Sequence, residues 1–318
     1  MGNKVVLGID IGGTNIDYGF VNEKGEILER SHYKTNEFNK FEDLVENLYK
    51  DVSMQIEKNG FDPAGIGIGA PNGNYYKGTI ENAPNLKWKG FVPAVQLFKA
   101  KFNVPVFLTN DANAATIGEM LFGGAKGFKD FIYITLGTGV GSGIVVNGQL
   151  VYGHDGFAGE LGHTIAVENG RQCGCGRKGC LETYSSVTGL RKSVALFKND
   201  FDTSPLFNVP FNKLTGKLIY DAAKSNDRLA LKAFDIAAEK LGKVLANAVA
   251  VTSPKAIFLF GGLANAKDLI FDQTKKYMEE NLLNIFKNKV EIFPSEMKGN
   301  EAALKGAAAL TWNELTSE

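Results

Sequence analysis

Apolar and polar positions along this chain alternate between two rhythms. Residues 4–10 form a nearly unbroken apolar run that ends on Asp10, the pattern of a strand buried on both faces. Two alternating runs follow at 15–22 and 26–34, separated by Gly12-Gly13-Thr14 and by Lys24-Gly25. Short runs joined by glycine turns predict consecutive antiparallel hairpins. From 41 to 59 the period lengthens, and Phe41, Leu44, Val45, Leu48, Val52 and Ile56 recur on one helical face. A strand with small residues is expected over 64–70, stopped by Pro71. A long polar loop over 71–90 carries Asn72, Gly73, Asn82, Asn85 and Trp88. A helix over 91–102 then leads to a strand over 104–109, which ends at Asn110-Asp111 and an Ala-rich helix.

The pattern restarts at 131–136, an apolar run followed by Gly137-Thr138-Gly139 and a second run rich in glycine. Both starts share strand, Gly/Thr turn, strand, Asn, Gly, strand. This weak internal repeat marks a duplicated unit. Helices are expected near 186–198, 217–225 and 227–251, with a connecting loop over 200–214. A strand over 255–260 ends in Gly261-Gly262. A helix over 267–286, a strand over 290–294 and an Ala-rich helix over 301–313 close the chain.

At 318 residues, two domains are the natural expectation. Thirty-five basic and 35 acidic residues balance to a formal net charge of zero, so no basic stripe points to nucleic acid. No apolar run reaches the length of a membrane span, and no cleavable leader pattern opens the chain. Three cysteines without such a leader are the usage of a reducing compartment, so a cytoplasmic location is expected.

The chemistry concentrates between Gly159 and Glu182. All three cysteines, Cys173, Cys175 and Cys180, lie here, preceded by His163, one of three histidines. Glycines between the cysteines describe a tight loop and not a core strand. A disulfide is disfavoured by the odd count and by the strain of a C-x-C bridge. Three thiolates and an imidazole make a closed tetrahedral site for structural Zn2+. The G-x-G-x-x-G match at 174–179 is discounted, because no apolar strand precedes it. Glu160 and Glu182 bracket the loop. With His163, and with Asn85 and Asn110 in support, they suit the vicinal hydroxyls of a sugar, which both donate and accept.

Two glycine turns have the make-up of phosphate cradles. Gly12, Gly13 and Thr14 let backbone N–H groups and a hydroxyl approach phosphate oxygens, with Asp10 placed for Mg2+; a plain hairpin turn is the alternative. Gly137, Thr138 and Gly139 repeat the device. Gly261 and Gly262 after a strand can admit a flat base and ribose. No P-loop signature occurs. Asp111 stands where a strand ends and a helix begins, so it is either a general base for a substrate hydroxyl, the helix cap, or both.

Taken in order, Asp10-Ile11-Gly12-Gly13-Thr14, Asn110-Asp111-Ala112-Asn113-Ala114-Ala115, Leu136 to Gly143, Gly159-Glu160-Leu161-Gly162-His163, Cys173 to Glu182 and Gly261-Gly262-Leu263 resemble the ROK (repressor, ORF, kinase) family of sugar kinases. The resemblance spans nearly the whole chain, and the cysteine loop after G-E-x-G-H is its most specific part. It implies an α/β protein of the actin-like ATPase fold, two ribonuclease-H-like domains with the active site in the cleft between them. The expected domains are 1–115 plus 301–318, and 116–300. It further implies ATP with Mg2+ as donor, Asp111 as general base, and Asn110, Glu160, His163 and Glu182 as sugar ligands. Zinc would lie on His163, Cys173, Cys175 and Cys180. Asn15-Ile16-Asp17 departs from the pattern, because many members carry a lysine at the third place.

The loop with Asn72, Asn82, Asn85 and Trp88 looks like the glucokinase branch. The implied activity is transfer of phosphate to the 6-hydroxyl of a hexose, with N-acetylmannosamine, N-acetylglucosamine, mannose or fructose as alternative substrates. The family also implies a homodimer. A sugar-responsive regulator is the rival class. It needs a helix-turn-helix segment, for which the strand expected from Lys4 leaves no room.

Overall fold

The computed structural model describes residues 3–299 and 301–317. The outermost positions of the expected domains, residues 1–2, 300 and 318, lie outside the described residues. The chain divides into two compact units. The first runs to Gly127 and takes in Leu150–Ala158 and the chain from Glu296; the second holds Phe128–Gln149 and Gly159–Ser295.

In the first unit, β1 (Asn3–Ile11), β2 (Asn15–Val21) and β3 (Ile27–Lys34) form the expected antiparallel hairpins. Helix α1 (Phe41–Asn59) matches the periodic stretch residue for residue. Its buried Leu44, Val45, Leu48 and Val52 join Leu7, Ile9, Ile66 and Ile68 in one core. Strand β4 (Phe61–Gly69) pairs parallel to β1. The supposed polar loop at 71–90 is more ordered than its composition suggests. It contains β5 (Gly73–Asn74) and β6 (Thr79–Glu81), which with β7 (Phe91–Val92) make a small antiparallel sheet. Trp88 is not a polar-loop residue but packs edge-on against Phe41 in the core. Pro93 separates β7 from a short α2 (Ala94–Lys99), so the helix expected over 91–102 is present but confined to its middle. Strand β8 (Val106–Thr109) pairs parallel to β4. Helix α3 (Asp111–Phe122) follows at once, so a boundary at 115/116 falls inside a helix.

The second unit repeats the plan. Strand β9 (Phe131–Leu136) pairs antiparallel with β10 (Val140–Val146), and β11 (Gln149–Leu150) extends that edge. Helices α4 (Glu182–Ser185), α5 (Val187–Phe197), α6 (Gly216–Lys224) and α7 (Arg228–Thr252) come next. Leu241, Leu245 and Val249 of α7 are fully buried with Ile132, Ile134, Ile257 and Leu259. Each such side chain contributes about 1.5–3 kcal/mol on leaving water. Strand β12 (Ala256–Phe260) is parallel to β9, and β13 (Glu291–Pro294) to β12. The helix expected over 267–286 is shorter. Lys267 takes φ 47° and breaks it, leaving α8 at Phe271–Asn281.

The sheet orders are β3-β2-β1-β4-β8 and β11-β10-β9-β12-β13. The same sequence of antiparallel and parallel neighbours in both gives the internal repeat its structural form. Helix α9 (Ala302–Ser317) returns to the first unit, where Ala308 and Trp312 pack on Val6 and Val21. The Trp312 indole donates to the Val21 carbonyl at 3.3 Å.

Candidate active site

The residues singled out from the sequence gather into two clusters, one in each unit. In the first unit, the turn after β1 is tight: Gly12 N donates to Asn15 O at 2.9 Å. Thr35, buried and not foreseen, braces it. Its hydroxyl donates to Gly12 O at 2.7 Å, and its amide donates to Thr14 O at 3.0 Å. Asn85 lies against this turn, since a Cβ added at Gly13 would meet Asn85 O at 2.6 Å.

Asn110 and Asp111 divide their work. Asn110 is the cap of α3, its Oδ1 accepting from Ala112 N at 2.7 Å and Asn113 N at 3.2 Å. Asp111 therefore begins the helix without being its cap, and Oδ1 accepts from Ala112 N at 2.8 Å. Desolvation raises the Asp111 pKa above the ordinary carboxylate value, partly opposed by N–H groups at the helix start. Asp10 is pushed up to about 7, first by burial and then by repulsion from Asp111 and Asp17. Two carboxylates that disfavour each other's charge have a use for a cation between them.

In the second unit, everything is attached to the start of β10. Ser142 is buried, accepts from Leu161 N at 3.0 Å and donates to Gly159 O, which fixes the segment carrying Glu160. Gly162 presses flat on Val140, since an added Cβ would come within 2.1 Å of Val140 O. His163 ends the short 3-10 turn Leu161–His163. The cysteine loop is a hairpin: Cys173 N donates to Arg177 O at 2.9 Å, and Gly179 N to Arg171 O at 2.8 Å. Arg171 holds this hairpin to the helices. It donates to Thr183 O at 2.8 Å, Gly189 O at 3.1 Å and Ser193 Oγ at 2.9 Å, and lies over the Tyr184 ring.

The four expected metal ligands meet the geometric test. Donor atoms of His163, Cys173, Cys175 and Cys180 all lie within 4.8 Å of one another. His163 Nδ1 is 3.7 Å from Cys173 Sγ, and Cys175 Sγ is 3.6 Å from Cys180 Sγ. Zinc bonds of about 2.3 Å to sulfur and 2.0 Å to nitrogen would set tetrahedral edges of roughly 3.6–3.8 Å. The guanidinium of Arg177 donates to the His163 carbonyl. Burial works against ionisation of Cys175, but the N–H and guanidinium of Arg177 outweigh it and draw the pKa down to about 6. Burial raises Cys173 and Cys180.

Glu182 opens α4. Its Oε2 accepts from Val140 N at 3.2 Å, and its Oε1 lies 3.7 Å from Cys173 Sγ. Gly139 lies close to this carboxylate, since an added Cβ would come within 2.2 Å of Oε2 and displace it. The opposite side of the Gly137–Gly139 turn is held by Val187, whose N donates to Gly137 O at 2.9 Å. Beside it opens a cavity of about 470 Å³, lined by Val187, Gly216, Lys217, Tyr220, Phe234, Gly262, Leu263, Asn265 and Ala266. Gly262 was foreseen as part of such a wall. The rest come from α5, α6, α7 and the turn after β12, and only their amphipathic helical spacing was visible beforehand. Gly261 makes the turn with φ 104°, its Cα held close to Leu136.

Among the described residues, no helix is long and apolar enough to cross a membrane. Comparison with known proteins gives a consistent picture. The ROK family model matches residues 6–314. A glucokinase from Halalkalibacterium halodurans is 34% identical over 318 residues, covering 98% of this chain and 96% of that protein. A xylose repressor from Caldicellulosiruptor bescii is 30% identical over 98% of this chain and 79% of its own length. The crystal structure of a ROK family glucokinase from Streptomyces griseus in complex with glucose and AMPPNP superposes with a TM-score of 0.78 at 33% identity, covering 96% of this chain and 98% of that one.

Proposed function

We propose, from the premise that this chain belongs to the ROK family and has the actin-like ATPase fold, that it is an ATP-dependent hexose kinase acting on the 6-hydroxyl, with glucose as the preferred substrate. The observation that carries the reading is the division of labour at the end of β8. Asn110 takes over the cap, and Asp111 is left with a raised proton affinity and only N–H groups of the helix start as partners among the described residues. A carboxylate so placed accepts the proton of a hydroxyl as that oxygen attacks the γ-phosphate.

The proposed roles are these. Glu160, His163 and Glu182, with Asn85 and the Asn110 amide nitrogen, hold sugar hydroxyls. Gly12, Gly13, Thr14 and Gly137, Thr138, Gly139 offer N–H groups and hydroxyls to phosphate oxygens. Asp10 and Asp111 attract Mg2+, which when bound neutralises charge on the transferred phosphate. Gly261, Gly262 and the cavity beside them take the base. His163, Cys173, Cys175 and Cys180 hold zinc, which supplies rigidity to the loop and no reactive position. Neutral His163 gives Nδ1 to the metal and keeps Nε2 for a sugar hydroxyl. We place the protein in the cytoplasm as a homodimer, whose mass light scattering would report.

A sugar-responsive regulator is the second reading, favoured by the similarity to the xylose repressor. An ADP-release assay with glucose, mannose, fructose, N-acetylglucosamine and N-acetylmannosamine separates the two. Turnover with glucose above the others supports the kinase. Sugar binding without ADP release from any member of the panel overturns it.

A further inference from the structure

We infer that Glu182 is a positioning residue through which the Cys3His loop sets the phosphate turn, so that nucleotide affinity depends on the bound metal even without sugar. The inference rests on the reading of Gly137–Gly139 as the phosphate turn and of the neighbouring cavity as the base site.

One carboxylate touches both structures. Oε2 accepts from Val140 N at 3.2 Å; in the metal-free protein the Cys173 thiol donates to Oε1 at 3.7 Å, a bond that a metal-bound thiolate gives up, so the tie of Glu182 to the loaded loop runs through the backbone. The fit to the turn is close, because Gly139 leaves no room for a Cβ beside Oε2. Glu182 follows the ligand Cys180 by two residues, and Thr183 N donates to Cys180 O at 3.0 Å. The carbonyl of Glu182 accepts from Ser186 Oγ at 2.7 Å, and the next residue, Val187, donates to Gly137 O. The turn is therefore gripped at Gly137 by α5 and at Val140 by Glu182, and both grips are anchored to the metal loop. Arg171 ties that loop to the same helices through Thr183, Gly189 and Ser193.

Fixing four ligand atoms on one ion fixes Cys180 and, through the bond from Thr183 N to Cys180 O, the start of α4 that carries the carboxylate. Freed, the loop lets Glu182 swing, Val140 N–H loses its acceptor, and the turn is held from one side only. A charge-assisted hydrogen bond of this kind is worth about a tenfold change in an equilibrium constant.

The test measures Mg-ADP binding by calorimetry in the absence of sugar, with metal content determined in parallel. Four samples are compared: wild type and Glu182→Ala, each metal-loaded and metal-stripped. Wild type should lose about tenfold in ADP affinity on stripping. Metal-loaded Glu182→Ala should show the same loss. Stripping that variant should add less than about twofold, and Glu182→Gln, which keeps an acceptor, should fall between. Independent, multiplying effects would overturn the coupling, as would unchanged ADP affinity in stripped wild type. Hydrogen exchange over 137–141 supplies a readout that survives if stripping unfolds the loop. In loaded Glu182→Ala the Val140 amide should exchange faster, and retained protection sinks the proposal. If loaded wild type fails to bind ADP at all, the kinase reading itself fails, a result distinct from ADP binding that ignores the metal.

Discussion

Replacing Asp10 with asparagine should stabilise the ligand-free protein at alkaline pH while damaging its use of Mg2+. The side chain ends a strand buried on both faces, and its pKa is lifted from 3.8 to about 7 by burial, then by Asp111, then by Asp17. The folded state thus holds this proton more tightly than the unfolded chain. Its contribution is fully present below pH 3.8 and is lost as pH rises through about 7. A displacement of about three pH units corresponds to roughly 4 kcal/mol at most, and to about 2–3 kcal/mol once relaxation and residual hydration are allowed for. Asparagine keeps the shape and removes the charge. Thermal melts of both proteins in EDTA should therefore differ by several degrees at pH 8 in favour of Asp10→Asn. The gap should close as pH falls toward 4–5. Added Mg2+ should narrow it at pH 8 by stabilising the wild type alone. A variant that melts below wild type at pH 8, or a gap independent of pH, would refute the electrostatic account.

The other expectations are simpler to read. Asp111→Asn should lower kcat by about 10²–10⁴-fold while calorimetry still detects sugar binding; unaltered turnover would remove Asp111 from the chemistry. Cys175→Ala should fail to retain zinc through dialysis and should raise the sugar KM, because Glu160 and Glu182 lose their common anchor. Full metal content with a normal KM would contradict that linkage. Tyr220→Ala should weaken ADP binding by about 1–2 kcal/mol, roughly tenfold, with the sugar constant unmoved; the opposite pattern would reassign the cavity.

Much of this protein is decided locally, and the sequence by itself determined that part. The apolar spacing of Phe41 to Ile56 is a helix because one face must be buried, and α1 occupies those residues. The glycines between the cysteines fold a short loop back on itself, as their spacing implied, and His163 joins it through the pairing of Ile165 with Cys180, which leaves four donor atoms within 4.8 Å of one another. The glycine turns and the repeat were equally visible, since both are properties of neighbouring residues. Where the pattern misled, a local signal was overruled by packing. Trp88 was placed in a polar loop but packs in the core against Phe41, and the helix expected from 267 is cut at its start by the backbone at Lys267.

The tertiary structure decided what depends on distant segments meeting. Sequence left open whether Asp111 caps its helix, and the rotamer and hydrogen bonds of Asn110 settle that question. Nothing in the local pattern around Thr35 or Ser142 marked them as braces, because their partners lie on turns more than ten residues away. The cavity beside Gly262 gathers walls from four separate elements, each of which looks like ordinary amphipathic surface in isolation. Glu182 was legible as an acid beside a metal loop, but its grip on Val140 was not. That contact joins positions 42 residues apart, and no local spacing brings them together.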